Sequence, residues 1–326
     1  MKKAVEAIKN AGTITIAAHV NPDGDTIGSM LSLGLGLEKL GKKVYLVSQD
    51  GVPKKYRTLP GAKSVKKTIT KKTDIAITVD CNSKKMVGEP YKTMRSADNF
   101  IEIDHHETRE AFGDLRIIDT KATAVGEQIY ELLKKLKVTI DKDIAQNILT
   151  SLIVETGSFR LPNIRPFTFQ VCADLVKRGA DFYKLVDMIF WTHSKEAVLL
   201  SGIALSRCKF RKNGKIVWSQ IKRKDFENIK GKDEDVDAVA DEMRAIKKTE
   251  IAVFFREKGK SKIRVSLRSK KHINIAHLAE QYGGGGHSDV AGCVIKNDSA
   301  EIRGLLYEAE KYLKDEKRYK TYNKRT

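Results

Sequence analysis

Residues 2–11 place their apolar positions at helical spacing, and TITIAAH (13–19) follows as a short apolar run that stops at a histidine. The first predicts a helix, the second a buried strand. The loop NPDGD comes next, with Pro22 and Gly24 as turn residues, and Asp25 opens TIGSMLSLGLGLEKLG, which reads as a helix closed by Gly41. KKVYLVS (42–48), DIAITVD (74–80) and NFIEID (99–104) are further runs of strand length. From 122 to about 190 the period turns helical, in ATAVGEQIYELLKKL, DIAQNILTSLIVETG, FTFQVCADLVKRG and YKLVDMIF. Apolar strands alternating with helices predict an α/β domain built on a parallel sheet covered on both faces.

After about residue 195 the pattern changes. KIVWSQIKR, EIAVFFRE and SKIRVSLRSK alternate as strands do, INIAHLAEQY reads as a short helix, and GGGGH, AGCVIKN and a helix over 299–314 follow. This predicts a smaller α+β domain. The expected boundaries are 1–190 for the first domain, a helical linker over 191–206, where proline is absent and glycine sparse, 207–315 for the second domain, and a basic tail over 316–326. Trp191, Trp218, Phe254 and Phe255 sit in apolar patterns and are expected in packing. His193, His272 and His277 have no acidic partner at motif spacing and are read as structural.

The 326 residues suffice for two domains, and 41% hydrophobic with 32% charged residues excludes a disordered chain. With 61 basic and 42 acidic side chains the net charge is +19, mostly from scattered lysines. That balance favours a polyanionic substrate or an acidic partner over a cationic one. Cys81, Cys172, Cys208 and Cys293 lie far apart, which argues against a disulfide framework or a structural zinc knot and for a reducing compartment. MKKAVEAIKNAG lacks the apolar stretch of a signal peptide, and no run reaches transmembrane length. A cytoplasmic protein with no membrane association is expected; the oligomeric state stays open, a homodimer included.

In an open parallel sheet, ligands bind beyond the carboxyl ends of the strands. Three predicted strands end in polar ligand types: the first in His19, the second in Asp80, the third in Asp104, His105 and His106. The loop after the first adds Asp23 and Asp25. These carboxylates converge on one sheet edge and repel one another unless cations neutralise them. Oxygen-rich sites with imidazoles suit manganese or magnesium, and the imidazoles favour manganese. More carboxylates than one ion needs suggests two ions about 3.5–4 Å apart with a bridging aspartate, the arrangement that activates water for phosphoester hydrolysis.

The series His19-Val-Asn-Pro-Asp23-Gly-Asp25, Asp80 and Asp104-His105-His106 resembles the DHH phosphoesterase family, and GGGGH at 283–287 resembles the signature of its associated C-terminal domain. The likeness runs from about residue 10 to 313, with four motifs in the family's order. Length and layout resemble the branch of nanoRNases (oligoribonucleases) and 3′-phosphoadenosine-5′-phosphate phosphatases. The resemblance implies a parallel-sheet DHH domain, a smaller α+β domain, and an active-site cleft between them. It implies that His19, Asp23 and Asp80 hold one ion, and that Asp25, Asp80, His105 and the acid of a fourth motif hold another. Manganese is the ion implied, with magnesium or cobalt as substitutes. His106 then faces the substrate phosphate, and Asp104 orients the histidine pair.

The fourth motif departs from the family's usual Asp-Thr-Gly: this chain has Glu155-Thr156-Gly157, and Glu155 is expected to ligate with lower affinity or altered preference. Arg268, Ser269, Gly284, Gly285, Gly286 and His287 are implied as substrate-binding residues, with Asn274 a further helper. Ser-Asp-Val-Ala-Gly follows His287 where the family tends to have alanines. Phe159 and Arg160, after the fourth motif, are candidates to border the site and stack on a base. The implied activity is hydrolysis of short oligoribonucleotides to mononucleotides and of 3′-phosphoadenosine-5′-phosphate. The rival within the family is a linear or cyclic dinucleotide phosphodiesterase. The rival outside it is a non-catalytic nucleotide- or RNA-binding protein with a decayed metal site. The length leaves little room for the added domains of single-strand-DNA exonucleases, and GGGGH argues against a pyrophosphatase.

Overall fold

Ile14, Ile16, Ile75, Ile77, Ile101 and Ile103 recur at every second position, so one face of a sheet is a continuous branched-apolar surface. The computed structural model describes residues 1–313 except Thr108, Lys271, His272 and His287. It falls into two compact units, Met1–Thr192 and His193–Thr326.

The first unit has strands β1 (Thr13–Ala17), β2 (Lys43–Val47), β3 (Ile75–Val79), β4 (Asn99–Asp104) and β5 (Leu115–Ile118). They pair in parallel in the order β2-β1-β3-β4-β5. Its helices are α1 (Lys2–Asn10), α2 (Gly24–Lys39), α3 (Lys84–Val87), α4 (Pro90–Met94), α5 (Val125–Lys135), α6 (Lys142–Glu155), α7 (Pro166–Lys177) and α8 (Phe182–Val186). The isoleucine face packs with α1, α2, α5 and α6; the other face carries a smaller cluster of Ala17, Val47, Ala76 and Phe100 with Val87 and Met94. β5 escapes the sequence reading because Ile117 is its one buried residue, which leaves no alternation to detect.

α2 is buried almost all round and crosses α6 with the two backbones nearly touching. A Cβ at Gly28 would lie 2.4 Å from the Asn147 carbonyl oxygen and 2.9 Å from the Ser151 nitrogen. Glycine there is a condition of the crossing.

The second unit is a mixed sheet of β6 (Lys209–Arg211), β7 (Ile216–Ile221), β8 (Ile251–Lys258), β9 (Lys262–Ser269), β10 (Gly285–Gly286) and β11 (Val290–Lys296), in the order β10-β11-β9-β8-β7-β6. Among the described residues of this unit, only β7 and β8 pair in parallel. Its helices are α9 (Lys195–Ser206), α10 (Arg223–Ile229), α11 (Val239–Ala245), α12 (Ala276–Gln281) and α13 (Ser299–Tyr312). Phe255 packs with α12 and α13 on one face, and Phe254 with α9 and α11 on the other. α9 buries Leu200 and Ala204 in that second core, so residues 195–206 are part of the unit and no free spacer. Trp218 meets Phe255 edge-on, whereas Trp191 is 63% exposed with its ring against Tyr183, a correction to its expected packing role. The four cysteines are free, and among the described residues no helix is long and apolar enough to cross a membrane. The basic tail over 316–326 lies outside the described residues.

Candidate metal centre

The strand order reverses at β1, with β2 on one side and β3 to β5 on the other, and the crevice beyond the carboxyl ends of β1 and β3 is where ligands bind in such sheets. His19 lies just past β1, Asp80 directly after β3, and Asp104 ends β4 with His105 and His106 following. Asp23 caps α2, its Oδ1 accepting from the Thr26 N–H at 3.0 Å, and the cap leaves the side chain half exposed. Asp80 adopts φ 59°, a left-handed conformation that few non-glycine residues take up, and its N–H donates to Ile103 at 2.9 Å.

The imidazoles are locked by carbonyls. His19 Nδ1–H donates to Val20 O at 2.8 Å and His105 Nδ1–H to Ala122 O at 3.1 Å, so each Nε2 is the nitrogen turned toward the acids and open to an ion once its proton is lost. His19 Nε2 is 3.7 Å from Asp80 Oδ2 and 4.0 Å from Asp23 Oδ1. His105 Nε2 is 3.6 Å from Asp80 Oδ1 and 3.8 Å from Asp25 Oδ2. The two oxygens of Asp80 therefore serve different histidines. Among the described residues, three donor sets have their ligand atoms within 4.8 Å of one another: His19, Asp23 and Asp80; Asp80, His105 and His106; and Asp25, His105 and Glu155. Asp80 Oδ1 is buried with no hydrogen-bond partner, a deficit that a cation removes. The donors are oxygen-rich with imidazole, so the residues fit a hard to borderline divalent ion.

Asp25 is fully buried and held in place. Its Oδ1 accepts from Ser151 at 2.6 Å and Ser29 at 3.1 Å, and its Oδ2 accepts from the Val125 N–H at 3.0 Å. Thr26 Oγ1 donates to Asp80 Oδ2 at 2.7 Å. The sequence reading passed over Thr26, Ser29 and Ser151; their only signal is a place one helical turn from an acid, which any helix residue shares.

Crowded acids make the centre hold protons. Burial opposes charge on His19, yet the Asp80 carboxylate 3.7 Å away outweighs it and pushes the imidazole up to about 9. Burial and then the Asp80 charge raise Asp25 to about 7. Burial pulls Asp80 upward, but the neighbouring imidazolium charges, that of His19 foremost, overcome it and hold the carboxyl at about 2. His105 and His106 are raised because neighbouring carboxylates outweigh their burial. Protons serve here as the neutralising cations, and a divalent ion takes over that role.

A family model described as the DHH family, N-terminal domain, matches residues 13–153, and one described as the DHHA1 domain matches 213–315. The bifunctional oligoribonuclease and PAP phosphatase NrnA of Thermus thermophilus is 31% identical over 300 residues, covering 91% of this chain and 88% of the relative. The chain belongs to the DHH family. The NrnA of Bacillus subtilis is 26% identical over 296 residues, covering 89% of this chain and 92% of that one. The DHH fold also appears in an exopolyphosphatase-related protein from Bacteroides fragilis, with a TM-score of 0.90 at 23% identity over 98% of this chain and 97% of that one.

Glu155, at the end of α6, stands with Asp25 and His105 despite its extra methylene over the family's usual aspartate. Asp104 is buried and its Oδ1 accepts from His106 Nδ1–H at 2.7 Å. Phe159 stacks on Phe169 and Phe182 in the protein's own aromatic cluster, and Arg160 lies 5.1 Å over the Phe190 ring. Within the DHHA1 domain, Arg268 forms a two-point ion pair with Asp241, at 2.6 and 3.2 Å. Ser269 is buried and its hydroxyl donates to Ile273 O at 2.6 Å. Asn274 Oδ1 accepts from the Ala276 N–H that opens α12. A Cβ at Gly284 would lie 2.1 Å from Gly292 O, and at Gly286 (φ 146°) 2.4 Å from Val290 O. These two glycines let β10 close onto β11, which the loop reading missed; Gly285 faces open space. His287 and His272 lie outside the described residues; His193 and His277 are exposed.

Proposed function

We propose that this DHH-family hydrolase cleaves short oligoribonucleotides to mononucleotides and removes a phosphate from 3′-phosphoadenosine-5′-phosphate in the cytoplasm. Asp80 carries the reading: its two carboxylate oxygens face two histidines in two donor sets, as a bridge between two ions requires. His19 and Asp23 complete one set, His105 and His106 the other, and the set of Asp25, His105 and Glu155 adjoins the second through His105; manganese suits these donors before magnesium or cobalt. When bound, such ions supply Lewis acidity toward a phosphoryl oxygen and lower the pKa of water. The names of the Thermus and Bacillus relatives support the substrate class.

The remaining roles fall to side chains. Asp104 holds the Nδ1 proton of His106, and the ring so oriented is assigned to the scissile phosphate. Ser29, Ser151 and the Val125 N–H keep Asp25 in one orientation before any ion arrives. On the DHHA1 domain, Arg268, held by Asp241, is assigned to a further substrate phosphate, and the open backbone at Gly285 admits close approach of an anion.

The test is chromatographic product analysis with manganese on a panel of a dinucleotide, a five-mer RNA, long single-stranded DNA, a cyclic dinucleotide, 3′-phosphoadenosine-5′-phosphate and pyrophosphate. Cleavage confined to short RNA and the bisphosphate nucleotide supports the reading. Silence with manganese, magnesium and cobalt overturns it in favour of a nucleotide-binding protein with a decayed centre.

A further inference from the structure

Strand alternation puts Phe100, Glu102 and Asp104 of β4 on the same face of the sheet, the face with the smaller apolar cluster. Glu102 is 0% exposed, and a carboxylate so placed persists only with partners for its charge. Among the described residues, three such partners, Arg109, Phe112 and Gly113, follow His106 in the chain. Glu102 Oε1 accepts from the N–H groups of Phe112, at 2.5 Å, and of Gly113; Oε2 accepts from the Arg109 guanidinium. The strand neighbours of Glu102, Thr78 and Arg116, contribute none of these bonds. A buried charge is thus used to shape the loop that leaves the histidine pair.

Arg109 reaches further. Its Nε lies 3.6 Å from Asp104 Oδ2, and both atoms are buried without a hydrogen-bond partner. Closure by about half an ångström turns this contact into a charge-assisted hydrogen bond. The other oxygen of Asp104 already accepts the His106 Nδ1 proton at 2.7 Å. The contacts therefore run Glu102, Arg109, Asp104, His106, from a sealed carboxylate to a ring at the metal centre.

We propose that Glu102 and Arg109 are positioning residues: Glu102 fixes the Arg109 guanidinium, Arg109 fixes Asp104, and Asp104 fixes the His106 ring. The role rests on His106 meeting the scissile phosphate, as proposed above. An ion pair needed only for folding would give the same contacts from Glu102 to Arg109 but no link onward to turnover.

The test compares wild type with Arg109→Ala, Arg109→Lys and Glu102→Gln, the last being isosteric and able to keep the two backbone bonds to Oε1. Folded fraction is read by circular dichroism. The His106 Nδ1–H resonance is read in metal-free protein, and kcat and KM with manganese and a five-mer RNA. Arg109→Ala is expected to lower kcat about 10–100-fold with KM held within about twofold, and to make the His106 Nδ1–H exchange rapidly with water. Arg109→Lys and Glu102→Gln are expected to fall between. Loss of turnover only in proportion to the folded fraction overturns the proposal, as does an unchanged His106 resonance in folded Arg109→Ala. If wild type cleaves neither RNA nor bisphosphate nucleotide, the functional reading fails, while the His106 resonance still decides the positioning role.

Discussion

Metal binding at this centre must compete with protons, and the size of the competition follows from the site. His19 is pushed up to about 9, so near neutral pH its ring in the metal-free protein carries two protons and has no lone pair to give. An ion entering at about pH 7 displaces one of them, which costs about 3 kcal/mol, on the order of 100-fold in affinity. At about pH 8 the penalty is about tenfold, and above about pH 9 it is nearly gone. Asp25, raised to about 7, adds a second proton below neutrality, so the dependence steepens there. Asp80, held at about 2, is ionised throughout and contributes no slope.

The assay is manganese titration by calorimetry between about pH 6.5 and 9, in buffers of different ionisation enthalpy, so that protons released per ion are counted directly. Affinity is expected to rise about tenfold per pH unit up to about pH 9, with about one proton released near pH 8. Stability of the metal-free protein runs the other way. His19, at 6.5 when exposed and about 9 in the fold, binds its proton more tightly folded than unfolded; Asp25, at 3.8 against about 7, does the same. The His19 contribution is complete below about pH 6.5 and lost as pH rises through about 9, a fall of about 3 kcal/mol. A manganese affinity flat across this range, with no proton released, refutes the reasoning.

Further outcomes are expected. Asp80→Asn should lower kcat by on the order of 1,000-fold or more and reduce the manganese stoichiometry, and retention of wild-type turnover counts against a bridge. Glu155→Asp should bind manganese several-fold more tightly, by restoring the shorter acid of the family; matching titrations of variant and wild type sink the idea. Gly284→Ala should cost about 1–3 kcal/mol in urea unfolding, because its Cβ would sit 2.1 Å from a carbonyl oxygen, and an unchanged midpoint argues against the close approach of β10. Turnover on RNA should fall steeply with added salt if the +19 charge acts on substrate, and a flat profile removes that role.

The strand-end acids and histidines were legible in the sequence because three of the predicted strands stopped at one of them, and a parallel sheet turns strand ends toward one edge. Glu155 was legible as a variant of a motif, and its place beside Asp25 and His105 shows that one methylene leaves it within reach. What supports the site was not legible. Ser151 meets Asp25 across 126 positions of chain, and no local pattern encodes that distance. Ser269 adjoins Arg268 in sequence, but alternation along β9 turns its hydroxyl into the core, which the motif does not show. The glycine run is ambiguous likewise: an open loop and a strand in backbone contact both call for glycine, and only the neighbouring carbonyls of Gly292 and Val290 distinguish them.

Packing and chemistry meet at the crossing of α2 and α6. Gly28 lets the Ser151 backbone approach α2 directly, and Gly126 does the same from α5, where a Cβ would lie 2.2 Å from Ser151 Oγ. With larger residues the helices must separate, and Ser151 could not reach Asp25 at 2.6 Å. A fully buried Asp25 without that bond loses one of the contacts that favour its ionised form, and its pKa climbs further above 7. Gly28→Ala should therefore weaken manganese binding as well as stability, although residue 28 touches no ion. If it lowers stability by about 1–3 kcal/mol and leaves the manganese titration of the folded protein unchanged, Asp25 is held by its other partners and the helix crossing serves the fold alone.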